Sequence, residues 1–188
     1  GPLESAEQLI AAAKARPNAV TSGYGSGTGQ VVAAAFSRAA GAQVLSVAYK
    51  GQPAAVTDLI GGRVDFVASD LGAVLTQIRA RNLKAVALMS GRRSTILADV
   101  PTAQELGLGK LELTGWIGVA GPAELPSEVR NWWAAQLGET LRNPAVQERL
   151  LGIGMEPDLM TGAALQEFVR TQYESWGRQI QQAGIQAE

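Results

Sequence analysis

Short apolar runs alternate with amphipathic stretches over the first half of the chain. Runs of apolar and β-branched residues predict strands near 19–22, 43–48, 63–68 and 84–89. Apolar residues at helical spacing predict helices around and between them, near 5–15, 30–40, 51–60 and 69–80. Strands that alternate with short helices are typical of a parallel sheet covered by helices on both faces. We therefore expect an α/β fold whose four strands are parallel neighbours joined by right-handed crossovers.

The pattern changes after residue 100. The sequence Thr102-Ala103-Gln104-Glu105 predicts a capping box that opens a short helix, and the apolar run at 111–120 predicts a long strand. Amphipathic stretches then predict three helices, at 127–141, 143–151 and 161–183. Trp132 and Trp133 are adjacent on the first of these helices, so they cannot both face one core. We expect one of them to contact a second domain or a second chain.

Four glycines at alternate positions join the first predicted strand to the next predicted helix, in the stretch T-S-G-Y-G-S-G-T-G-Q-V-V at 21–32. Unpaired N–H groups and the helix dipole favour an anion at a helix N-terminus. Glycine lets the backbone approach a ligand closely, and hydroxyl groups can donate hydrogen bonds. We expect this loop to hold a carboxylate or a similar small anion, and the alternative is a turn that only connects two elements. The expected contacts are Tyr24, Ser26, Gly27, Thr28 and Gly29.

Nucleotide-binding motifs do not fit this loop. No Lys-Ser or Lys-Thr follows the glycines, and Gly29 stands at the wrong spacing for a dinucleotide fingerprint. No acidic residue occurs from residue 8 to residue 57, where the charged side chains are all basic. They are Lys14, Arg16, Arg38 and Lys50. The local positive field would attract an anionic solute, although chance in an Ala- and Gly-rich stretch is the alternative.

Two more loops follow predicted strands at the same edge. Parallel sheets bind ligands beyond the carboxyl ends of their strands, which adds Tyr49-Lys50-Gly51 and Ser69-Asp70 as candidates. Tyr49 offers a hydroxyl group beside a glycine, and the alternative is a packing role at the edge of the core. Asp70 either contacts the ligand or simply caps the helix that it precedes.

Composition removes several kinds of chemistry. The 188 residues contain neither cysteine nor histidine, which excludes disulfides, imidazole bases, Ser-His-Asp catalysis and the usual zinc ligands. Paired-carboxylate, lysine or tyrosine chemistry stays open. The net charge of −1 gives no general attraction to nucleic acid or membranes. The sequence therefore predicts neither a metal site nor a cofactor.

Several segments together resemble a known family of receptors. They are V-A-Y-K-G at 47–51, D-L-I-G-G-R-V-D-F at 58–66, A-D-V-P-T-A-Q-E-L-G at 98–107, R-L-L-G-I-G-M-E-P at 149–157 and Y-E-S-W-G-R-Q-I at 173–180. In combination they are similar to the substrate-binding proteins of tripartite tricarboxylate transporters, also called Bug-type receptors. The resemblance runs from about residue 6 to the end of the chain.

This resemblance implies a fold and a function. It implies a periplasmic binding protein of type II, with a parallel sheet flanked by helices and a ligand in the cleft between two α/β domains. Such receptors capture a small carboxylate in the periplasm, pass it to a membrane permease and catalyse no reaction. By position, 23–29 matches the loop that grips the carboxylate, Tyr49 matches the tyrosine of the family's V-P-Y-K-G, and Ser69-Asp70 matches its F-D-N or F-A-D turn.

The chain also departs from the family pattern. Ala48 replaces the usual proline, the glycine loop is several residues shorter than usual, and Gln30 stands nearest to a histidine that often follows the loop. Gly1-Pro2-Leu3 resembles the remainder of a cleaved tag, and we expect this chain to lack the α/β segment that precedes this point in the family. We expect 5–121 to be the α/β ligand-binding domain, and 122–188 to be a helical segment from an incomplete second domain. The run at 111–120 would be the crossover between them.

Other functional classes remain as alternatives to a receptor. One is an anion-binding enzyme domain on a doubly wound fold, and the other is a protein-interaction module that uses the helical tail. The predicted tail helices must bury an apolar stripe, because soluble monomers rarely expose one of that size. We expect the tail either to fold back on its own domain or to pair with the same tail in a homodimer.

Overall fold

The computed structural model of the protein describes residues 3–109 and 111–185. Strands and helices alternate in its first part, as the apolar pattern predicts. In chain order the elements are α1 (Ala6–Ala15), β1 (Thr21–Tyr24), α2 (Gly27–Ala39), β2 (Leu45–Ala48), α3 (Gln52–Ile60), β3 (Phe66–Val67) and α4 (Leu71–Arg79). The second part contains α5 (Ser127–Arg142), α6 (Pro144–Gly152) and α7 (Gly162–Ala183).

The three strands form one parallel sheet in the order β2-β1-β3. Thr21 pairs with Leu45 at the start of β1, and Gly23 pairs with Val67 at the end of β3. The central strand is therefore the one that leads into the glycine-rich loop. A parallel α/β sheet flanked by helices is confirmed.

The predicted fourth strand at 84–89 is wrong. Within the described residues its pairing is a single parallel bridge between Leu88 and Thr102. The Leu88 N–H donates to the Pro101 carbonyl at 2.9 Å, and the Ala103 N–H donates back to Leu88 at 2.8 Å. Since β3 has only two residues, it offers no long edge to a further strand, and the chain pairs with the local 101–103 segment instead.

The long strand predicted at 111–120 and the short helix after Thr102 are also absent from the described residues. The first segment has no ladder, and the Leu113 N–H donates to the Met89 carbonyl at 2.8 Å without a further backbone bond that would extend the pairing among the described residues. The capping box itself forms, because Thr102 and Glu105 exchange hydrogen bonds between side chain and backbone. Gly107, with φ +74°, then turns the chain away before a helix can develop.

The core lies where α1 and α2 pack near the sheet. Leu9 and Ala13 of α1, Phe36 of α2 and Leu113 are all buried, and the Phe36 and Phe66 rings lie 5.4 Å apart. The buried residues of α1 lie at helical spacing on one face, which explains how this helix attaches to the core. This core fixes the position of α2, and with it the N-terminus that follows the glycine-rich loop.

The tail contacts the α/β part at several places. Trp176 of α7 packs against the core, and Arg38 of α2 donates a hydrogen bond to Gln179. Arg79 at the end of α4 donates to the Gly152 carbonyl at 3.1 Å, and Glu156 accepts a bond of 2.7 Å from the Thr95 N–H. The tail therefore folds back in part on its own chain.

Several large apolar side chains remain exposed in the second part and in the segment before it. Trp132 and Trp133 pack edge to face with each other and are 56% and 48% exposed. Ile117 and Tyr173 are more exposed still. Pairing of these side chains with a second chain stays a prediction. None of the helices in the described residues is both long and apolar enough to span a membrane.

We predict that Gly154→Ala lowers the free energy of unfolding by about 2 kcal/mol. Gly154 has φ +84°, and a Cβ there would lie 2.9 Å from the Gly72 nitrogen at the start of α4. Gly152→Ala is the matched control, because a Cβ at Gly152 meets nothing within 4 Å. Urea unfolding of both variants is the measurement, and equal stabilities would contradict the close packing of this turn on α4.

Candidate functional site

The glycine-rich loop is shorter than the sequence predicts, because α2 begins at Gly27 rather than near residue 30. Ser26 is the N-cap, and its hydroxyl oxygen accepts from the Gly29 N–H at 3.1 Å. The Ser26 carbonyl accepts from the Gln30 N–H at 3.0 Å. The N–H groups of Gly29 and Gln30 therefore already have acceptors, so we correct the expectation that the backbone N–H groups from 26 to 30 all point at one ligand; the Gly29 N–H is not available to a ligand.

Two N–H groups remain available at the start of α2. Within the described residues the N–H groups of Gly27 and Thr28 have no recorded acceptor, and both residues are exposed. The first turn of α2 has no acidic residue, so the helix dipole is not compensated there by a side chain of this turn. Unpaired N–H groups at a helix N-terminus are groups that can donate hydrogen bonds to a small anion.

Two glycines let neighbouring loops approach this helix. A Cβ at Gly25 would lie 2.1 Å from the Gly51 carbonyl carbon and 2.2 Å from the Gln52 nitrogen. A Cβ at Gly29 would lie 2.8 Å from the Ala68 carbonyl oxygen. The turn after β1 thus touches the turns after β2 and β3 through backbone atoms, which only glycine permits at these distances.

Gln52 joins the three loops through its side chain. Its amide oxygen accepts from the Ser69 hydroxyl at 2.8 Å, and its amide nitrogen donates to Asp70 Oδ2 at 2.7 Å. The same nitrogen lies 3.5 Å from Ser26 Oγ. Sequence reasoning missed Gln52, although its place directly after Gly51, at the carboxyl end of β2, is a signal that could have found it.

Asp70 is not a plain helix cap. It occupies the N-cap position of α4, but its side chain makes no capping hydrogen bond and instead accepts from Gln52. Its other oxygen, Oδ1, lies near the backbone of Gly115, 3.6 Å from where a Cβ would stand. Asp70 therefore lies between the loops at the carboxyl ends of the strands and the segment around Gly115, which leads to the tail.

Tyr49 contacts a different set of groups. Its hydroxyl donates to Asp58 Oδ2 at 3.0 Å, and its ring packs against Gly23. Arg63 pairs with the same carboxylate at 2.7 Å. The bond from Arg63 is the larger cause of a lowered pKa of Asp58, and the bond from Tyr49 is the second. Desolvation and then the Asp58 carboxylate raise the pKa of Tyr49. The Tyr49 hydroxyl is thus engaged by α3, and a direct contact between Tyr49 and the ligand stays a prediction.

The other predicted contacts lie at or beside the start of α2. Tyr24 ends β1, is half-buried, and its Cβ lies close to Gly29. The structure thus brings Tyr24, Ser26, Gly27, Thr28, Gly29, Ser69 and Asp70 to one edge of the sheet. Across residues 3–109 and 111–185, no cluster of three or more acidic residues is arranged to hold a metal ion. Of the groups gathered here, the N–H groups of Gly27 and Thr28 and the hydroxyl groups can donate hydrogen bonds to an anion, whereas Asp70 can only accept them.

The fold and this edge define a class of protein. This parallel sheet flanked by helices matches the solved structure of the periplasmic binding protein BugD with a TM-score of 0.77 at 27% identity, covering 100% of this chain and 64% of that one. The model of the tripartite tricarboxylate transporter family receptor matches residues 1–185. The chain therefore belongs to the tripartite tricarboxylate transporter receptor family.

Individual relatives agree with this assignment. A UPF0065 protein in the TAR-I ttuE-ttuC' intergenic region of Agrobacterium vitis is 35% identical over 182 residues, which are 94% of this chain and 52% of that protein. Protein BugT of Bordetella pertussis is 31% identical over 184 residues, 97% of this chain and 56% of its own length. The solved structure of R. palustris Rpa4515 with adipate matches with a TM-score of 0.83 at 26% identity, covering 98% of this chain and 62% of that one. This chain thus spans about half the length of these curated relatives.

We predict that Gly25→Ala lowers the free energy of unfolding by about 3 kcal/mol, because the new Cβ meets rigid backbone rather than a movable side chain. Gly27→Ala is the matched control two residues away, where a Cβ meets nothing within 4 Å. Its stability should stay within about 0.5 kcal/mol of the unchanged protein. Thermal and urea unfolding measure both, and a stable Gly25→Ala protein would show that the two turns can separate.

Proposed function

We propose that this chain is the part of a periplasmic receptor that binds one carboxylate group of a small organic acid. The carboxylate would lie at the start of α2, on the N–H groups of Gly27 and Thr28, with the hydroxyl groups of Ser26 and Thr28 nearby. The single observation that carries this proposal is the pair of available N–H groups at an exposed helix N-terminus without an acidic first turn. Between residues 8 and 57 all the charged side chains are basic, and their positive long-range field favours the approach of an anion.

The receptor family supports the rest of the proposal. Its members are receptors of tripartite tricarboxylate transporters, so the acid would be handed to a membrane permease without being chemically changed. The adipate bound to Rpa4515 is a dicarboxylate, which fits a site that grips one carboxylate at α2. We propose the periplasm as the location on the same basis.

The division of the chain follows from this proposal. Residues 5–121 would form the ligand-binding domain, and 122–188 would belong to a second domain that supplies the other side of the ligand cleft. The exposed Trp132, Trp133 and Ile117 fit a face that another part of the receptor covers. Binding by this chain alone should therefore be weak, because groups on the other side of the cleft would be absent.

We predict that adipate shifts the amide NMR signals of Gly27 and Thr28 in a concentration-dependent manner. An amide titration detects weak binding, and uncharged adipamide serves as the ligand control. Gly27→Val should weaken adipate binding by about tenfold, because its side chain occupies the space next to the N–H groups. Gly177→Val on α7 is the matched control, since a Cβ there also meets nothing within 4 Å.

Two results would contradict the proposed carboxylate site. One is an adipate titration in which the signals of 26–30 do not move while signals of the tail do. The other is a Gly27→Val protein that binds adipate as well as the unchanged protein does. Conversion of the acid during the titration would instead favour the enzyme alternative.

A further inference from the structure

Three side chains form a hydrogen-bonded cluster along α3: Tyr49, Asp58 and Arg63. Tyr49 follows β2 directly, Asp58 lies in the last turn of α3, and Arg63 follows this helix. The Tyr49 hydroxyl donates to Asp58 Oδ2 at 3.0 Å, and Arg63 donates to Asp58 Oδ1 at 2.7 Å. Both oxygens of one carboxylate are therefore used, and the bond from Tyr49 connects the chain just before α3 with the last turn of this helix.

The Tyr49 ring fills a space that Gly23 leaves open on the central strand. A Cβ at Gly23 would lie 3.2 Å from Tyr49 Cε2 and 3.2 Å from Val67 Cγ2. Because any larger side chain would crowd both neighbours, the ring lies directly against the backbone of β1. The Tyr49 N–H also donates to the Tyr24 carbonyl at 2.8 Å. The backbone and the ring of Tyr49 together hold the end of β2 and the start of α3 against β1.

The position of α3 matters because this helix begins at the candidate site. Gln52 is its first residue, and the amide of Gln52 joins the turns after β1 and β3. Nine residues make a helix of only about two and a half turns, so a shift of the last turn, where Asp58 lies, also displaces the first residue. A side chain that fixes α3 on the sheet therefore also fixes the Gln52 amide among the loops.

The charges of the cluster strengthen the bond from Tyr49. The bond from Arg63 is the largest cause of the lowered pKa of Asp58, so this carboxyl stays ionised and is a stronger acceptor than a neutral group. Desolvation, followed by the bond to Asp58, raises the pKa of Tyr49, so its hydroxyl keeps its proton and stays a donor. A hydroxyl group has one proton to donate, and Tyr49 donates it to Asp58.

We propose that Asp58 and Arg63 are positioning residues that act on the candidate site through Tyr49. Asp58 holds the Tyr49 hydroxyl, Arg63 holds Asp58, and the Tyr49 ring sets the distance between α3 and β1. The Gln52 amide then lies where it joins the three loops, and the Tyr49 hydroxyl needs no contact with the ligand. This inference rests on the proposed carboxylate site only for its effect on binding, because the position of Gln52 can be followed without a ligand.

A double-mutant cycle tests the bond between Tyr49 and Asp58. Tyr49→Phe removes the hydroxyl and keeps the ring, and Asp58→Ala removes the acceptor. Each variant should move the NMR signals of the Gln52 side-chain amide and weaken adipate binding by about threefold. The double variant should bind adipate as Asp58→Ala does, since both changes break the same bond. Tyr173→Phe is the control, because Tyr173 is 81% exposed and has no recorded hydrogen bond among the described residues.

A graded variant separates positioning from folding. Asp58→Asn keeps an oxygen that accepts from Tyr49 but loses the charge that pairs with Arg63, so it should recover part of the adipate binding that Asp58→Ala loses. The amide signals of the core should stay in place in every variant. Gln52 amide signals or an adipate affinity that Tyr49→Phe leaves unchanged would overturn the positioning role. Failure of adipate to shift the signals of 26–30 in the unchanged chain would overturn the proposed function, and the Gln52 amide signals would then decide this inference alone.

Discussion

The close approach of Gly25 to the peptide between Gly51 and Gln52 is the contact on which the candidate site depends. It brings the turns after β1 and β2 together, so that the starts of α2 and α3 lie side by side. The turn after β3 joins them in two ways, through the approach of Gly29 to Ala68 and through the Gln52 amide. Two backbone contacts thus set the distances between loops, and one side chain sets the orientation of the polar groups.

Opposite charges are favoured at neighbouring points of this edge. The start of α2 has unpaired N–H groups and favours an anion, whereas Asp70 favours a donor or a cation. A ligand that carries both kinds of group satisfies the two at once, and a ligand with only one leaves the other unpaired. This edge therefore presents donors at the start of α2 and an acceptor at Asp70.

The sequence was informative where local rules decide the structure. Alternation of apolar runs predicted the parallel sheet, and the glycines after β1 marked the edge where the loops gather. It was less informative for segments that become strands only if a neighbouring strand is there to pair with. Residues 84–89 and 111–120 have strand-like patterns but find no extended ladder among the described residues. Ser26 illustrates a third case, since its capping bond starts α2 three residues early and shortens the predicted loop. The role of Gln52 depends on contacts between distant loops, which no local pattern shows.

The helical tail is connected to the candidate site through α4. Gly154 packs on the backbone of Leu71 and Gly72, which follow Asp70 directly, and Arg79 ties the other end of α4 to Gly152. A Cβ on either glycine of this contact would meet the backbone of the other segment, so the two segments fit together only at close range. Because the N-terminus of α4 carries Asp70, any displacement of the tail relative to α4 would move a residue that the sequence predicts to contact the ligand. The R-L-L-G-I-G-M-E-P segment that resembles the family is the one that makes this contact, which gives Gly154 a structural reason.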